Sequence, residues 1–145
     1  MTEARETATQ ALAAFNNHDQ SAISAFTAPD VKYEAPGGVR LQGRDAATGY
    51  AMSWLKAFPD AKMTVHNEIA CGDYVVQEGT FEGTHTGPLE GAGGIIPATG
   101  KKLAGRYVQV GRYENGVTTE SRLYFDQVDV LSQLGQMPQP AAAAS

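Results

Sequence analysis

Apolar positions recur at close to every fourth residue up to Pro59 and at every second residue beyond it. The clearest stripe joins Ala47, Tyr50, Ala51, Trp54 and Phe58 at helical spacing, and Pro59 closes it. An earlier helix is predicted from Ala4, Ala8, Ala11, Leu12 and Phe15, with Glu3 and Glu6 near its positive end. Asn16, Asn17, His18 and Asp19 stop it. "QSAISAF" reads as a second short helix ended by "TAPD", "VKYEAP" as a strand, and "GGVRLQG" as a turn with a short extended piece. After Pro59 the alternation marks four strands, "AKMTVHNEIA", "YVVQEGTFEGTH", "KLAGRYVQVGRY" and "VTTESRLYFD". "CGD" and "ENG" supply hairpin turns between the first two and the last two. The glycine-rich "TGPLEGAGGIIPATGK" reads as a long mobile loop at a mouth.

Helices followed by an antiparallel meander define an α+β class. A curved sheet wrapped around a long amphipathic helix forms a half-open cone, and its interior is the natural ligand site. The 145 residues predict one domain, residues 1–136, with residues 137–145 a disordered tail lacking a core face. A net charge of −5 without any basic cluster argues against nucleic acid or anionic membrane as partner. Cys71 is the single cysteine, so no intramolecular disulfide forms. No apolar run approaches the ~20 residues of a membrane span, and "MTEARETATQ" lacks a signal-peptide core, so a cytoplasmic location is expected. Three scattered histidines give no metal-ligand spacing.

Counting by twos puts Val75, Gln77, Gly79, Phe81, Gly83 and His85 on one inward face, and Leu103, Gly105, Tyr107, Gln109 and Gly111 on the next. On the last strand Arg122, Tyr124 and Asp126 oppose Ser121, Leu123 and Phe125. Either the apolar set is core and Asp126 lies outside, or the apolar set packs against another subunit. Asp126 itself reads as a cap for the helix "QVDVLSQL", an exposed charge, or a proton carrier in a pocket. His85, in "GTHTG", reads as a ligand for a substrate oxygen or as a histidine tied to turn backbone. Gln77 and Gln109, among apolar neighbours, either satisfy the protein's own hydrogen bonds or orient a ligand. Tyr33, Tyr50, Trp54 and Tyr107 read as core, with aromatic surface for a flat ligand.

"FNNHDQSAISAFTAPDVKYEAPGG", "SWLKAFPDAKMTV", "CGDYVVQEGTFEGTHTGPL", "IPATGKKL" and "LYFDQVDVLSQLG" resemble, in order and spacing, the SnoaL-like polyketide cyclases of the nuclear-transport-factor-2-like superfamily. The resemblance implies a cone-shaped α+β barrel, a homodimer or higher oligomer, and no metal or organic cofactor. It implies an intramolecular aldol closure of a polyketide-like, hydrophobic carbonyl compound. Asp126 matches the family's acid/base, with His85 assisting. Tyr33, Trp54, Gln77, Phe81, Tyr107, Gln109, Arg122 and Tyr124 would bind the substrate. On this reading Tyr124, Trp54 and Phe81 wall the Asp126 carboxyl, and Arg122 clamps a substrate carbonyl or ester. Subunit contact is expected through Leu123 and Phe125 on the outer sheet face. Two departures bear on the chemistry. Ser121 stands where many relatives carry a histidine, and Tyr107 and Gln109 replace the acid pair that epoxide hydrolysis needs. Two alternatives use the same fold: a non-catalytic binder of a small hydrophobic ligand, and an accessory protein in polyketide hydroxylation.

Overall fold

A computed structural model describes residues 3–91 and 94–137. The chain opens with helices α1 (Glu3–Asn16) and α2 (Gln20–Ala25), strands β1 (Thr27–Ala35) and β2 (Val39–Gln42), and helix α3 (Arg44–Ala57). Strands β3 (Lys62–Cys71), β4 (Tyr74–Thr84), β5 (Leu89–Gly91), β6 (Gly94–Ile96), β7 (Lys102–Glu114) and β8 (Val117–Phe125) follow, then helix α4 (Gln127–Gln133). Six strands form one sheet in the order β2-β1-β8-β7-β4-β3, while β5 and β6 pair separately. The sheet ends at β2 and β3, so the cone is open and is not a closed barrel. It is also not wholly antiparallel, because β1 runs parallel to β8.

The four strands expected after Pro59 are present as β3, β4, β7 and β8. In the β7–β8 turn Asn115 and Gly116 take φ of 53° and 77°, the left-handed pair that "ENG" suits. Strand β1 starts earlier than expected and includes "TAPD". Its register against β8 shifts between Thr27 and Lys32, and this irregularity accommodates Pro29, which has no N–H to donate. The glycine-rich segment is not a plain loop, since it carries the β5–β6 pairing. Leu89 is buried in the main core, and the backbone N–H groups of Thr86 and Gly87 both donate to Ala57 O, at 3.1 and 3.0 Å. A side chain at Gly87 would meet Lys56 O at 2.1 Å, so only glycine permits this approach. Of the expected tail, residues 138–145 lie outside the described residues.

The core falls into three clusters, one of which joins Ala28 and Val31 on β1 to Ala47 on α3. Small residues Ala4 and Ala8 bring α1 close to Val75 and Tyr113 on the sheet. Leu55, Phe58, Leu103, Val130 and Leu134 join α3, β7 and α4 at the other end. Between them β3 carries a bulge, its register shifting between Val65 and Asn67. The extra residue reverses the parity of the strand, so Glu68 turns to the concave face that simple alternation denies it. On β8 the apolar set faces inward: Ser121 is buried, and Leu123 and Phe125 line the interior. This corrects the expectation that Leu123 and Phe125 form an outer contact surface. Among the described residues no helix is long and apolar enough to cross a membrane.

Candidate functional site

The concave face of the sheet and helices α1 to α4 enclose a cavity of about 160 Å³. That volume is similar to the ~150 Å³ of an apolar cavity that takes up benzene. Helix α3 contributes Tyr50 and Trp54, one turn apart, because their spacing puts both on its buried stripe. The Trp54 ring meets Phe81 and Phe125 edge-on, with centroids at 5.6 and 5.5 Å. Tyr33 on β1 faces Tyr50 at 5.4 Å. This edge-to-face arrangement favours a planar ligand, whose faces and rim find complementary ring charge.

The polar lining is neutral apart from Arg106. Burial pushes the Tyr107 hydroxyl up to about 12. Burial, with the charges of Glu68 and Tyr107 adding to it, pushes Tyr113 up to about 12 as well. Burial raises Tyr33 and Tyr50 too, so these phenols stay protonated donors. Tyr107 is 4 % exposed, and its hydroxyl meets no partner among the described residues. It lies over Gly79, where a side chain would come within 2.9 Å of it.

Gln77 and Gln109 are direct cross-strand partners on the cavity floor. The amide nitrogen of Gln77 donates to Glu68 Oε2 at 2.9 Å, and that of Gln109 to Ser121 Oγ at 2.7 Å. Glu68 also pairs with Arg5, Nε to Oε1 at 2.8 Å. Sequence reading found both amides but missed Glu68, since alternation assigns it to the face of Thr64 and His66. Ser121 entered that reading as a member of the Leu123 and Phe125 face and as a departure from the family, without a role; it is the hydroxyl that anchors Gln109.

Of the ten sequence-predicted site residues, Tyr33, Trp54, Gln77, Phe81, Tyr107 and Gln109 line this cavity together. Four others do not. Tyr124 is 53 % exposed on the opposite face and does not line the cavity. Arg122 sits in a groove on that face with Lys32 and Arg40, 3.9 Å from Glu34. Asp126 is exposed and caps α4, its Oδ1 accepting from Asp129 N at 3.1 Å. His85 is fully buried beside Phe58, with ring centroids 5.3 Å apart, and its Nδ1 contacts Thr99 Oγ1 at 2.9 Å. No group of three or more His, Cys, Asp or Glu side chains among the described residues is placed to hold a metal ion.

An open six-stranded cone with helices packed on its concave face and a ring-lined cavity inside is the nuclear-transport-factor-2-like fold. Within that class the chain belongs to the SnoaL-like polyketide cyclase family, which matches residues 5–134. A SnoaL-like polyketide cyclase candidate from Jannaschia sp. CCS1 superposes with a TM-score of 0.82 at 19% identity, covering 94% of each chain. IdmH, a polyketide cyclase candidate from Streptomyces antibioticus, gives 0.77 at 26% identity, over 92% of this chain and 99% of its own. AclR, a hydroxylase candidate from Streptomyces galilaeus, gives 0.79 at 25% identity, over 97% and 85%. No curated protein matches the chain significantly.

Proposed function

We propose that this protein binds a carbonyl-bearing ring compound of the polyketide kind and closes a further ring by intramolecular aldol chemistry. The observation that carries the reading is the cavity itself: aromatic rings wall it, and neutral amides and phenols form its polar part. Its volume admits about one ring of such a molecule. Holding the chain folded, with the two reacting carbons in contact, supplies the orientation an aldol closure requires. In that step a carbon beside one carbonyl loses a proton. The resulting carbanion bonds to the carbon of a second carbonyl, whose oxygen takes up a proton. No atom is gained or lost overall.

Asp126 is the proposed proton carrier on the strength of the family resemblance: its exposed carboxylate caps α4 and does not line the cavity, so it serves the reaction only by turning from the cap toward the bound compound. It follows Phe125, whose ring lines the cavity, and stands at the strand's end. Its capping bond makes a clean test available, because asparagine caps a helix about as well as aspartate. Asp126→Asn is expected to keep the wild-type unfolding midpoint while turnover of a poly-β-ketone precursor, followed by mass-resolved chromatography, falls about 100-fold. Unchanged turnover removes Asp126 from the reaction.

A second reading, binding without chemistry, draws on one specific observation. Among the described residues, those lining the cavity include no Asp, Glu, His or Lys. It predicts tight uptake of a ring ketone with no product formed.

A further inference from the structure

The two floor amides differ in how firmly they are oriented, and the difference depends on what holds each nitrogen. Gln77 is 3 % exposed and donates from Nε2 to Glu68. The Arg5 guanidinium pairs with the other carboxylate oxygen of Glu68 and holds the side chain in place. A carboxylate accepts hydrogen bonds and donates none, so it takes the amide nitrogen and repels the amide oxygen. While Glu68 is charged, Gln77 cannot turn over. Its oxygen is thereby held on the side away from β3, toward Gln109 and the cavity. The case of Gln109 is different, because the Ser121 hydroxyl that meets it can donate or accept. Gln109 is free to turn, and with the cavity empty its nitrogen can satisfy the Gln77 oxygen. The two side chains are direct partners, with Cβ atoms about 5 Å apart, so one small group between them reaches both.

We infer that Glu68 is a specificity-determining positioning residue, fixing Gln77 as a hydrogen-bond acceptor so that the cavity selects ring compounds bearing a hydroxyl, phenolic or enolic, over their methyl ethers. Glu68 touches no ligand and works through Gln77. The hydroxyl donates to Gln77 Oε1, and its own oxygen accepts from the turned Gln109 nitrogen. A methoxy group can only accept, and it leaves the Gln77 oxygen buried without a donor. The inference deepens the proposed function and rests on the cavity being the ligand site.

The test is calorimetric titration of the full chain with 4′-hydroxyacetophenone and with 4′-methoxyacetophenone, single-ring ketones that differ only at the group in question. Wild type is expected to prefer the hydroxyl compound by roughly fivefold, the value of one net hydrogen bond. In Glu68→Gln the carboxamide can donate or accept, Gln77 can turn, and the preference is expected to fall to within about twofold. Gln77→Met, which spares the Arg5–Glu68 pair, should abolish it in the same way, and a preference that survives in Gln77→Met overturns the inference even if Glu68→Gln unfolds. A merely structural Glu68 would weaken both ketones alike and leave their ratio at the wild-type value, which overturns the inference. Equal binding of both by wild type also overturns it while leaving the cavity reading intact. Heat from neither ketone sinks both.

Discussion

Gly79 shows how much one absent side chain does here. A Cβ at this position would lie 2.2 Å from Thr64 O and 2.9 Å from the Tyr107 hydroxyl. The bare backbone lets Tyr107 lie across β4, which gives the cavity one of its walls. Gly79→Ala is therefore expected to cost about 1–3 kcal/mol, because either β3 or the Tyr107 ring must shift. Urea unfolding should show a lower midpoint at an unchanged slope. Gly105→Ala is the control: its nearest neighbour is Leu103 Cδ1 at 4.0 Å, so the change should stay within about 0.5 kcal/mol. A drop of similar size in both variants would mean that close approach is not the cause. At this scale the sequence was informative for Gln77, Phe81, Tyr107 and Gln109, because an unbroken alternation places each of them. It was silent on Glu68, since a bulge leaves no mark in a pattern of apolar and polar positions. It also left two options for β8, where Leu123 and Phe125 alternate with Arg122 and Tyr124 and either pair satisfies the period.

The segment between β4 and β7 is held at the level of elements. His85 N donates to Lys101 O at 2.8 Å, and Gly100 N to His85 O at 2.7 Å, so the end of β4 and the residues before β7 are tied together. The imidazole completes the tie, because its Nδ1 accepts from Thr99 N at 3.3 Å. Accepting that bond requires an unprotonated Nδ1, so a doubly protonated ring would lose it. Burial accordingly lowers the His85 pKa from 6.5, with a backbone contact to Gly87 pulling weakly the other way. The neutral ring is favoured in the folded state, so the unfolded chain binds the extra proton first as pH falls. Stability is then complete above about 6.5 and declines on acidification toward the lowered value. Thermal unfolding of wild type should move to lower temperature between pH 7.5 and 5.5, while His85→Gln, destabilised by about 1–3 kcal/mol throughout, should stay flat. Parallel curves would assign the acid sensitivity to other groups. The "GTHTG" stretch thus serves the architecture around the cavity, and the alternation that assigned His85 inward did not reveal that Phe58 and Thr99 enclose it.

For the molecule as a whole, the cavity couples ligand to stability. A ligand confined to the folded cone at 100 times its dissociation constant adds about 2.7 kcal/mol. For a chain of this size that corresponds to a rise of roughly 8 °C in unfolding temperature. Scanning calorimetry with saturating 4′-hydroxyacetophenone checks it, and saturation without a shift would mean that the ligand binds the folded and unfolded chains alike and needs no folded cavity. The overall class was legible in the sequence because it depends on periodicity. A stripe at every fourth residue ending at Pro59, then alternation over four strands, leaves an α+β cone as the compact solution. What the alternation could not show was decided by contacts between residues distant along the chain. These are the parallel pairing of β1 with β8, the β5–β6 ribbon, the inward turn of Glu68, and the placement of Asp126 at a helix cap outside the cavity. Periodicity is local and survives in a string of letters. Register, bulges and the environment of a carboxylate depend on which strands meet, and only the folded chain contains that.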